Sequence, residues 1–119
     1  MTLYKKTFGR EGEDITVKYL TDNNYVIIDR NFRSKFGEID IIAEKNKKIY
    51  FIEVKTRANL NKGKPYEAIT SRKRHQLHKA ATYFLLTNDY KKYKNTITVV
   101  SIVLNEDDSY NLQFFESID

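Results

Sequence analysis

The feature that most constrains the fold is a pair of short β-type segments separated by a polar turn sequence. Residues 37–43 and 51–57 are rich in β-branched side chains and are bounded by charged or turn residues, which is typical of strands. Residues 45–48 read Lys-Asn-Lys-Lys, and four polar residues are few enough for the loop of a β-hairpin. A turn centred between positions 46 and 47 therefore predicts an antiparallel hairpin over residues 38–57.

Charged side chains lie inside this otherwise apolar hairpin. Alternation along each strand and the predicted register place Asp40 opposite Glu53, and Glu38 opposite Lys55. Burying charged groups is costly unless they are paired or bind a metal ion. The alternative is an edge hairpin whose charged face is solvated and whose other face alone supplies the core. Acids in register on adjacent strands, with a lysine two residues after one of them, favour a functional site.

The composition restricts the class of protein. A chain of 119 residues with 40% hydrophobic and 31% charged residues is predicted to form a single domain over residues 1–119. The absence of cysteine excludes disulfide bonds and thiolate metal ligands. No apolar run is long enough to span a membrane, and no signal-type apolar stretch follows Met1. We therefore expect a cytoplasmic protein that does not associate with membranes.

Charge is unevenly distributed along the chain. The net charge is +5, yet all 21 Lys and Arg residues lie within residues 1–94 with 11 of the 16 acids, so that stretch carries +10. Residues 95–119 contain the other five acids and neither Lys nor Arg. A strongly basic domain suits a polyanion such as nucleic acid. The alternative is that the lysines only confer solubility, so charge alone does not decide the partner.

Hydrophobic periodicity and turn residues predict seven elements in the order α-β-β-β-α-β-β. The first helix covers residues 9–21, with an inward stripe of Gly9, Glu13, Thr16, Val17 and Leu20. Thr70 or Ser71 can cap a second helix that runs to about Thr87, with an inward stripe of Lys73, Leu77, Ala80, Ala81 and Phe84. The rest is predicted as strand 25–30, basic connector 31–36, hairpin 38–57, loop 58–65, link 89–95, and strands 97–104 and 110–115.

Two local rules are broken in this pattern. Glu13 lies on the inward face of the first helix. Arg72, Lys73 and Arg74 lie in the first turn of the second helix, where the macrodipole disfavours cations. The alternatives are an acid that caps its own helix and a solvated helix start. Such violations are most often found at functional sites, so we interpret both as part of one.

The residue types indicate which cation could bind. Three carboxylates and a lysine, with no cysteine and only two histidines, favour Mg²⁺ or Mn²⁺ over zinc. Such an ion activates a phosphoryl group and water, and a nearby lysine can stabilise the charge that builds on phosphate. His75 and His78 lack matching acids, so we interpret them as surface or DNA-facing. The combination predicts metal-assisted phosphodiester hydrolysis, with phosphate contacts from Arg33, Lys62, Lys64, Arg72, Lys73 and Arg74.

The motifs resemble a known family. Asp40 followed by Glu53-Val54-Lys55 matches the D…ExK core of the restriction-endonuclease-like superfamily, a short motif by itself. The longer series resembles the bacterial YraN family in order and spacing over nearly the whole chain. It comprises Gly12-Glu13, Asn31-Phe32-Arg33, residues 37–43, residues 51–57, and Lys73 with Ala80-Ala81. That family is similar to archaeal Holliday-junction resolvases.

The resemblance implies a fold, a site and a partner. The fold is an α/β, restriction-endonuclease-like fold with a central mixed β-sheet of about five strands flanked by α-helices. Glu13, Asp40 and Glu53 are implied as metal ligands for Mg²⁺ or Mn²⁺, and Lys55 as the catalytic lysine. DNA is the implied partner, and a homodimer is implied because resolvases act as symmetric dimers.

Three functions are compatible with the sequence. The first is a metal-dependent endonuclease acting on DNA, with branched or flapped structures as candidate substrates. The second is a binding module that kept the nuclease fold and grips nucleic acid without cutting it; the intact set Asp40, Glu53 and Lys55 argues against it. The third is a protein-interaction adaptor of the cell envelope or division machinery, which the basic charge of residues 1–94 disfavours.

Overall fold

The computed structural model describes residues 2–58 and 69–116, and only the backbone of residues 2–8. Its elements follow the predicted order α-β-β-β-α-β-β. They are α1 (Thr2–Asp22), β1 (Val26–Ser34), β2 (Gly37–Lys45), β3 (Lys48–Arg57), α2 (Ser71–Thr87), β4 (Lys94–Leu104) and β5 (Tyr110–Glu116). Neither helix, as far as it is described, has a stretch long and apolar enough to cross a membrane.

The five strands form one mixed sheet in the order β1-β2-β3-β4-β5. Neighbouring strands are antiparallel except β3 and β4, which are parallel. Parallel neighbours need a crossover connection, and α2 lies in the connection between these two strands. This confirms the predicted α/β architecture of a mixed five-stranded sheet flanked by helices.

The two helices cover opposite faces of the sheet. On one face, Leu77 and Phe84 of α2 pack with Phe51 of β3 in one hydrophobic cluster. On the other, Leu20 of α1 packs with Ile41 and Ile52 in a second cluster. Both faces of β3 are therefore buried, and Glu53, in the middle of this strand, is buried with them.

The hairpin forms with the predicted turn and register. Asn46 and Lys47 have φ of 52° and 61°, as a two-residue turn of the primed type requires. The ladder pairs Lys45 with Lys48 and continues in step to the pair Ile41 and Ile52. This is the register that sets Asp40 against Glu53. The ladder ends there, one residue before the two acids.

The predicted bounds of three elements were wrong. Residues 31–34 do not form a connector, because β1 continues to Ser34 and pairs Phe32 with Ile39. The aromatic ring of Phe32 packs edge-on against that of Phe84, and this contact supports the longer strand. The helix α1 starts at Thr2 rather than at position 9, and β4 starts at Lys94 rather than at position 97.

The start and the inner face of α2 agree with the prediction. Thr70 is the N-cap, and its side chain accepts a hydrogen bond from the backbone N–H of Lys73. The four apolar residues of the predicted stripe, Leu77, Ala80, Ala81 and Phe84, are buried. The cap fixes the first turn of α2, from which Lys73 reaches Glu53 of the sheet.

The contact of α1 with β3 depends on Gly12. A Cβ atom added to Gly12 would lie 1.8 Å from Oγ1 of Thr56, closer than atoms can approach. The missing side chain lets the helix backbone come close to the strand at this point. Glu13 is the next residue, so this contact positions the helix acid beside the sheet.

Gly12→Ala should lower the free energy of unfolding by about 1–3 kcal/mol, the usual cost of overpacking a well-packed contact. Gly9→Ala is the matched control, because a Cβ there would meet nothing within 4 Å. It should be neutral or stabilising by up to about 1 kcal/mol, since alanine favours the helix. Urea denaturation measures both. Equal effects of the two changes would contradict the close contact, and adding Thr56→Ala to Gly12→Ala should recover part of the loss.

Candidate active site

The two hairpin acids lie where the strands β2 and β3 separate. Beyond the pair Ile41 and Ile52, residues 37–39 pair with β1, while residues 53–57 pair with β4. At the separation, Oδ2 of Asp40 accepts a hydrogen bond of 2.8 Å from the backbone N–H of Val54. A side chain thus replaces the next backbone bond of the ladder, and the strands open around the carboxylates.

Glu53 is the most enclosed charged residue of the site. It is 6% exposed, and its Oε2 lies 3.6 Å from Nζ of Lys55 and 3.7 Å from Nζ of Lys73. Its other oxygen, Oε1, is buried and has no hydrogen-bond partner among the described residues. An unsatisfied buried carboxylate oxygen is costly, typically by about 1–3 kcal/mol or more. This oxygen is therefore available for a further electropositive partner.

The carboxyl group of Asp40 is strongly perturbed. Burial, followed by repulsion from Glu53, raises the pKa of Asp40 to about 7. The hydrogen bond from Val54 and the charge of Lys73 act in the opposite direction, because both stabilise the ionised carboxylate. Glu38 adds a smaller repulsion. Near neutral pH this group can therefore hold or release a proton, as is common for acids at functional sites.

Glu13 approaches the same acids from α1. The side chain of Glu13 is 19% exposed, and burial, followed by repulsion from Asp40, raises the pKa of Glu13. Arg30 opposes the shift, with Nη2 at 3.9 Å from Oε1 of Glu13, as does a hydrogen bond with the Asn31 side chain. Arg30 also binds Oδ1 of Asp14 at 2.8 Å. The helix acid is thus held between β1 and the hairpin.

The three acids do not surround a common point. Asp40 repels Glu13, and Glu53 repels Asp40. Within residues 2–58 and 69–116, no group of three His, Cys, Asp or Glu side chains is assembled as it would be around a metal ion. The three-acid ligand set therefore stays a prediction, and a shared ion would require Glu13 to turn from Arg30 towards the hairpin.

Comparison with known proteins places this chain in a family. The model of "Uncharacterised protein family UPF0102" matches residues 12–102. A UPF0102 protein of Persephonella marina is 44% identical over 97 residues, covering 82% of this chain and 84% of the relative. One of Fusobacterium nucleatum is 44% identical over 101 residues, covering 85% of each chain. One of Caldanaerobacter subterraneus is 39% identical over 101 residues, covering 85% of this chain and 83% of the relative.

The chain belongs to the UPF0102 family. This confirms the resemblance to YraN at the level of the family. The matched segment begins at Gly12, where α1 touches β3, and it contains the three predicted metal ligands and the predicted catalytic lysine, Glu13, Asp40, Glu53 and Lys55. The part of the UPF0102 chain that the family model matches thus includes both helix acid and hairpin.

The residues predicted to contact phosphate in this UPF0102 protein differ in their exposure to solvent and in their partners. Arg72 is exposed, and Arg74 is half-buried with a buried Nε that has no hydrogen-bond partner among the described residues. Arg33 is 81% exposed at its side chain and lies 3.6 Å from Glu38. Lys62 and Lys64 lie outside the described residues. Lys73 points to Glu53 instead of outward, so it belongs with the acids.

Sequence reasoning did not assign the surroundings of the acids. Lys73 was predicted as a phosphate contact on an inward stripe, and that stripe was the signal for its contact with Glu53. Asn31 has a φ of 54°, a left-handed conformation that asparagine tolerates better than most residues. The position of Arg30 in the sequence did not indicate its contacts with the acids of α1, because these depend on how closely α1 crosses β1.

Proposed function

We propose that this UPF0102 protein is a divalent-metal-dependent endonuclease that hydrolyses phosphodiester bonds in DNA and is related to the restriction-endonuclease-like superfamily. The observation that carries the proposal is the separation of β2 and β3, with buried Glu53 and perturbed Asp40 side by side. Two lysines reach the same oxygen of Glu53. Carboxylates next to cations at the point where two strands separate suit phosphate chemistry better than a hydrophobic core.

The residues at this site fit a hard divalent cation. Their donors are carboxylate oxygens, and one of them, Oε1 of Glu53, is buried without a partner among the described residues. Repulsion between Asp40 and Glu53 would be relieved by a positive ion between them. Oxygen donors of this kind suit Mg²⁺ or Mn²⁺. Asp40 and Glu53 would hold the ion, with Glu13 as the third acid.

When bound, such an ion supplies Lewis-acid activation of the phosphoryl group and of the attacking water. The chain's own contribution begins with Lys55, whose ammonium lies 3.6 Å from Glu53 and is about one-third exposed, at 32%. It therefore faces the position where a phosphate would arrive and can stabilise the charge that develops there. Lys73 holds the same oxygen of Glu53 from α2 at 3.7 Å and orients the carboxylate.

The basic start of α2 supports DNA as the substrate. Arg72 and Arg74 lie in the first turn after the N-cap Thr70, on either side of Lys73, which contacts the site. A phosphate backbone placed over the acids would therefore pass the cations of this turn, of which Arg72 is exposed. Contacts of this kind are independent of base sequence and set the salt dependence of binding.

Replacing Arg72 and Arg74 together with glutamine should weaken binding to unrelated DNA duplexes alike. Each lost phosphate contact should reduce the slope of log affinity against log salt by about 0.9. Lys18→Gln is a control at an exposed lysine of α1, paired with Asp22, and should leave the slope unchanged. Fluorescence anisotropy over a salt series gives both numbers. An unchanged slope in the double variant would remove the start of α2 from the DNA interface.

The second candidate is a binding module with the same fold and no cleavage. The raised pKa of Asp40 disfavours a binding module. It reflects burial of this carboxyl group and its repulsion from Glu53, and neither effect would help a protein that only binds phosphate groups. Such acids weaken polyanion binding and cost stability. A catalytic cation would stabilise the ionised carboxylates and offset this cost.

Cleavage of defined DNA tests the proposal against the binding module. Purified protein is incubated with Mn²⁺ or Mg²⁺ and with linear, flapped and four-way DNA of the same sequence, and products are resolved on denaturing gels. We expect metal-dependent nicks that EDTA abolishes. DNA binding without any nick on the three substrates, in either metal, would overturn the endonuclease and leave the binding module.

A further inference from the structure

An apolar groove runs along the outer face of α2, away from its buried stripe. Phe36, in the turn between β1 and β2, lines it together with Tyr83 and Leu86 of α2. The side chains of Tyr83 and Leu86 are exposed, with 42% and 61% of the residue surface open to solvent. The groove has a volume of about 450 Å³, within the range of about 300–1,000 Å³ found for pockets that hold organic ligands.

Aromatic rings form the floor of the groove. The rings of Phe36 and Tyr83 meet edge to face with centroids 5.9 Å apart, and Tyr83 also lies 6.4 Å from Phe32. These contacts fix Tyr83 while leaving part of its ring open. A fixed, exposed ring beside a second ring is a surface on which a flat aromatic group can stack.

The rim of the groove is basic. His75, His78 and Lys79 line it from α2, and Nζ of Lys35 lies 5.2 Å from the centroid of the Phe36 ring. None of the lining residues that the structure describes is acidic, and residues 71–87 contain four Lys or Arg residues and no Asp or Glu. The occupant favoured by this charge is therefore an anion that also carries an aromatic ring.

The groove connects to the active site through the β1–β2 turn rather than along α2. His75 lines the groove two residues after Lys73, but it points about 200° further round the helix than Lys73, which contacts Glu53. The β1–β2 turn lies against α2, since a Cβ added to Gly37 would lie 3.8 Å from Cβ of Gln76. Phe36 lines the groove, and Asp40 lies four residues further along the chain, about 13 Å for an extended strand. At about 3.4 Å for each stacked nucleotide, this distance corresponds to a few nucleotides.

We propose that the groove binds an unpaired nucleobase of a DNA strand whose backbone crosses the active site. The base stacks on Tyr83 and Phe36, and the flanking phosphates meet Lys35 and Lys79. Proteins that hold single strands combine such stacking surfaces with a basic track. The inference rests on the proposed function and deepens it, because it makes DNA with unpaired bases next to the cleavage position the preferred substrate.

Charge argues against a second copy of the chain as the occupant. A symmetric contact through this face would bring Lys79 and the neighbouring Lys35 of two copies together. Like charges at an interface oppose association unless acids compensate them, and the lining residues that the structure describes include no acid. A strand of DNA supplies the missing negative charge.

Tyr83→Leu tests the groove by removing the flat ring and keeping an apolar side chain and the net charge. Binding of a single-stranded oligonucleotide in EDTA should weaken by about tenfold, the scale of losing one stacked base. Binding of a blunt duplex of equal length should change by less than about twofold, because phosphate contacts carry it. Tyr110→Leu is the matched control, since Tyr110 is 46% exposed on β5, and it should bind both forms like the wild type.

A second measurement does not depend on any variant. An oligonucleotide carrying 5-bromouracil is crosslinked by ultraviolet light to the wild type, and we expect mass spectrometry to find the crosslink on Tyr83 or Phe36. Wild-type protein that binds no DNA overturns the proposed function and this inference together. Normal single-strand binding by Tyr83→Leu, with crosslinks elsewhere, overturns the groove alone. A third outcome is a wild-type dimer in analytical ultracentrifugation that Tyr83→Leu converts to a monomer, with unchanged affinity for single-stranded DNA. That result would overturn the proposal and assign this face to self-association.

Discussion

Lys55→Ala should lower the rate of DNA cleavage by about a hundredfold or more, the scale of losing one electrostatic stabiliser of a transition state. The ammonium of Lys55 lies 3.6 Å from Oε2 of Glu53 and is 32% exposed, so it borders both the acids and the solvent. A cation in this position does not bind a metal ion, because like charges repel. Its interaction is strongest when negative charge builds on the phosphate.

The loss should appear in turnover rather than in binding. An interaction made mainly in the transition state lowers kcat when it is removed and leaves ground-state affinity nearly intact. Lys55→Ala should therefore fold, bind Mn²⁺ and bind DNA like the wild type. Glu53 keeps a cationic neighbour in this variant, because Lys73 lies 3.7 Å from the same oxygen.

The chain offers a closely matched control for this substitution. Lys48 forms an ion pair with Glu116, and its side chain is 30% exposed, close to the value for Lys55. Lys48→Ala removes the same charge and the same length of side chain away from the separated strands. It should cleave at the wild-type rate. Equal rates for Lys55→Ala and the wild type would remove Lys55 from the catalytic machinery, whatever the metal dependence of the reaction.

The hairpin was predictable because two local signals agree. Apolar alternation specifies which side chains share a face, and the polar turn at Asn46 and Lys47 fixes the register. The sequence therefore indicated that Asp40 and Glu53 face each other. The order of elements was predictable for the same reason, since each segment keeps one hydrophobic period over most of its length.

Contacts between distant elements could not be predicted in this way. The ladder stops at Ile41 because the side chain of Asp40 takes the N–H of Val54, and no period in the sequence indicates such a replacement. The contact of Lys73 with Glu53 depends on how far α2 extends over the sheet. Residues 31–34 look like a basic connector when taken alone, yet Phe32 packs on α2 and keeps them in β1. Tertiary packing decided each of these points.

The metal-free protein should become less stable as pH rises from about 4 to about 7. In the unfolded chain an aspartate ionises near pH 3.8, whereas burial and then Glu53 raise the pKa of Asp40 to about 7 in the folded protein. Between these values the folded state binds more protons than the unfolded state, so stability falls with rising pH. A difference of about three pH units corresponds to at most roughly 4 kcal/mol.

Asp40→Asn should remove this loss. The asparagine side-chain oxygen can still accept the hydrogen bond from Val54, and the neutral group no longer repels Glu53. In EDTA at about pH 8 the variant should therefore melt at a higher temperature than the wild type. Asp107→Asn is a control of opposite sign: hydrogen bonds from Ser109 lower the pKa of Asp107, so its replacement should reduce stability at neutral pH.

Metal binding supplies the second half of this test. A divalent ion that binds the folded state raises the melting temperature by mass action, and it competes with the proton on Asp40. In the wild type, the shift produced by Mn²⁺ should therefore be larger at about pH 8 than at about pH 6. Asp40→Asn should show almost no shift at either pH and no cleavage, while its binding to DNA stays or tightens. An equal Mn²⁺ shift in both proteins would separate Asp40 from the metal site, and the raised pKa of Asp40 would then reflect only its burial and its repulsion from Glu53.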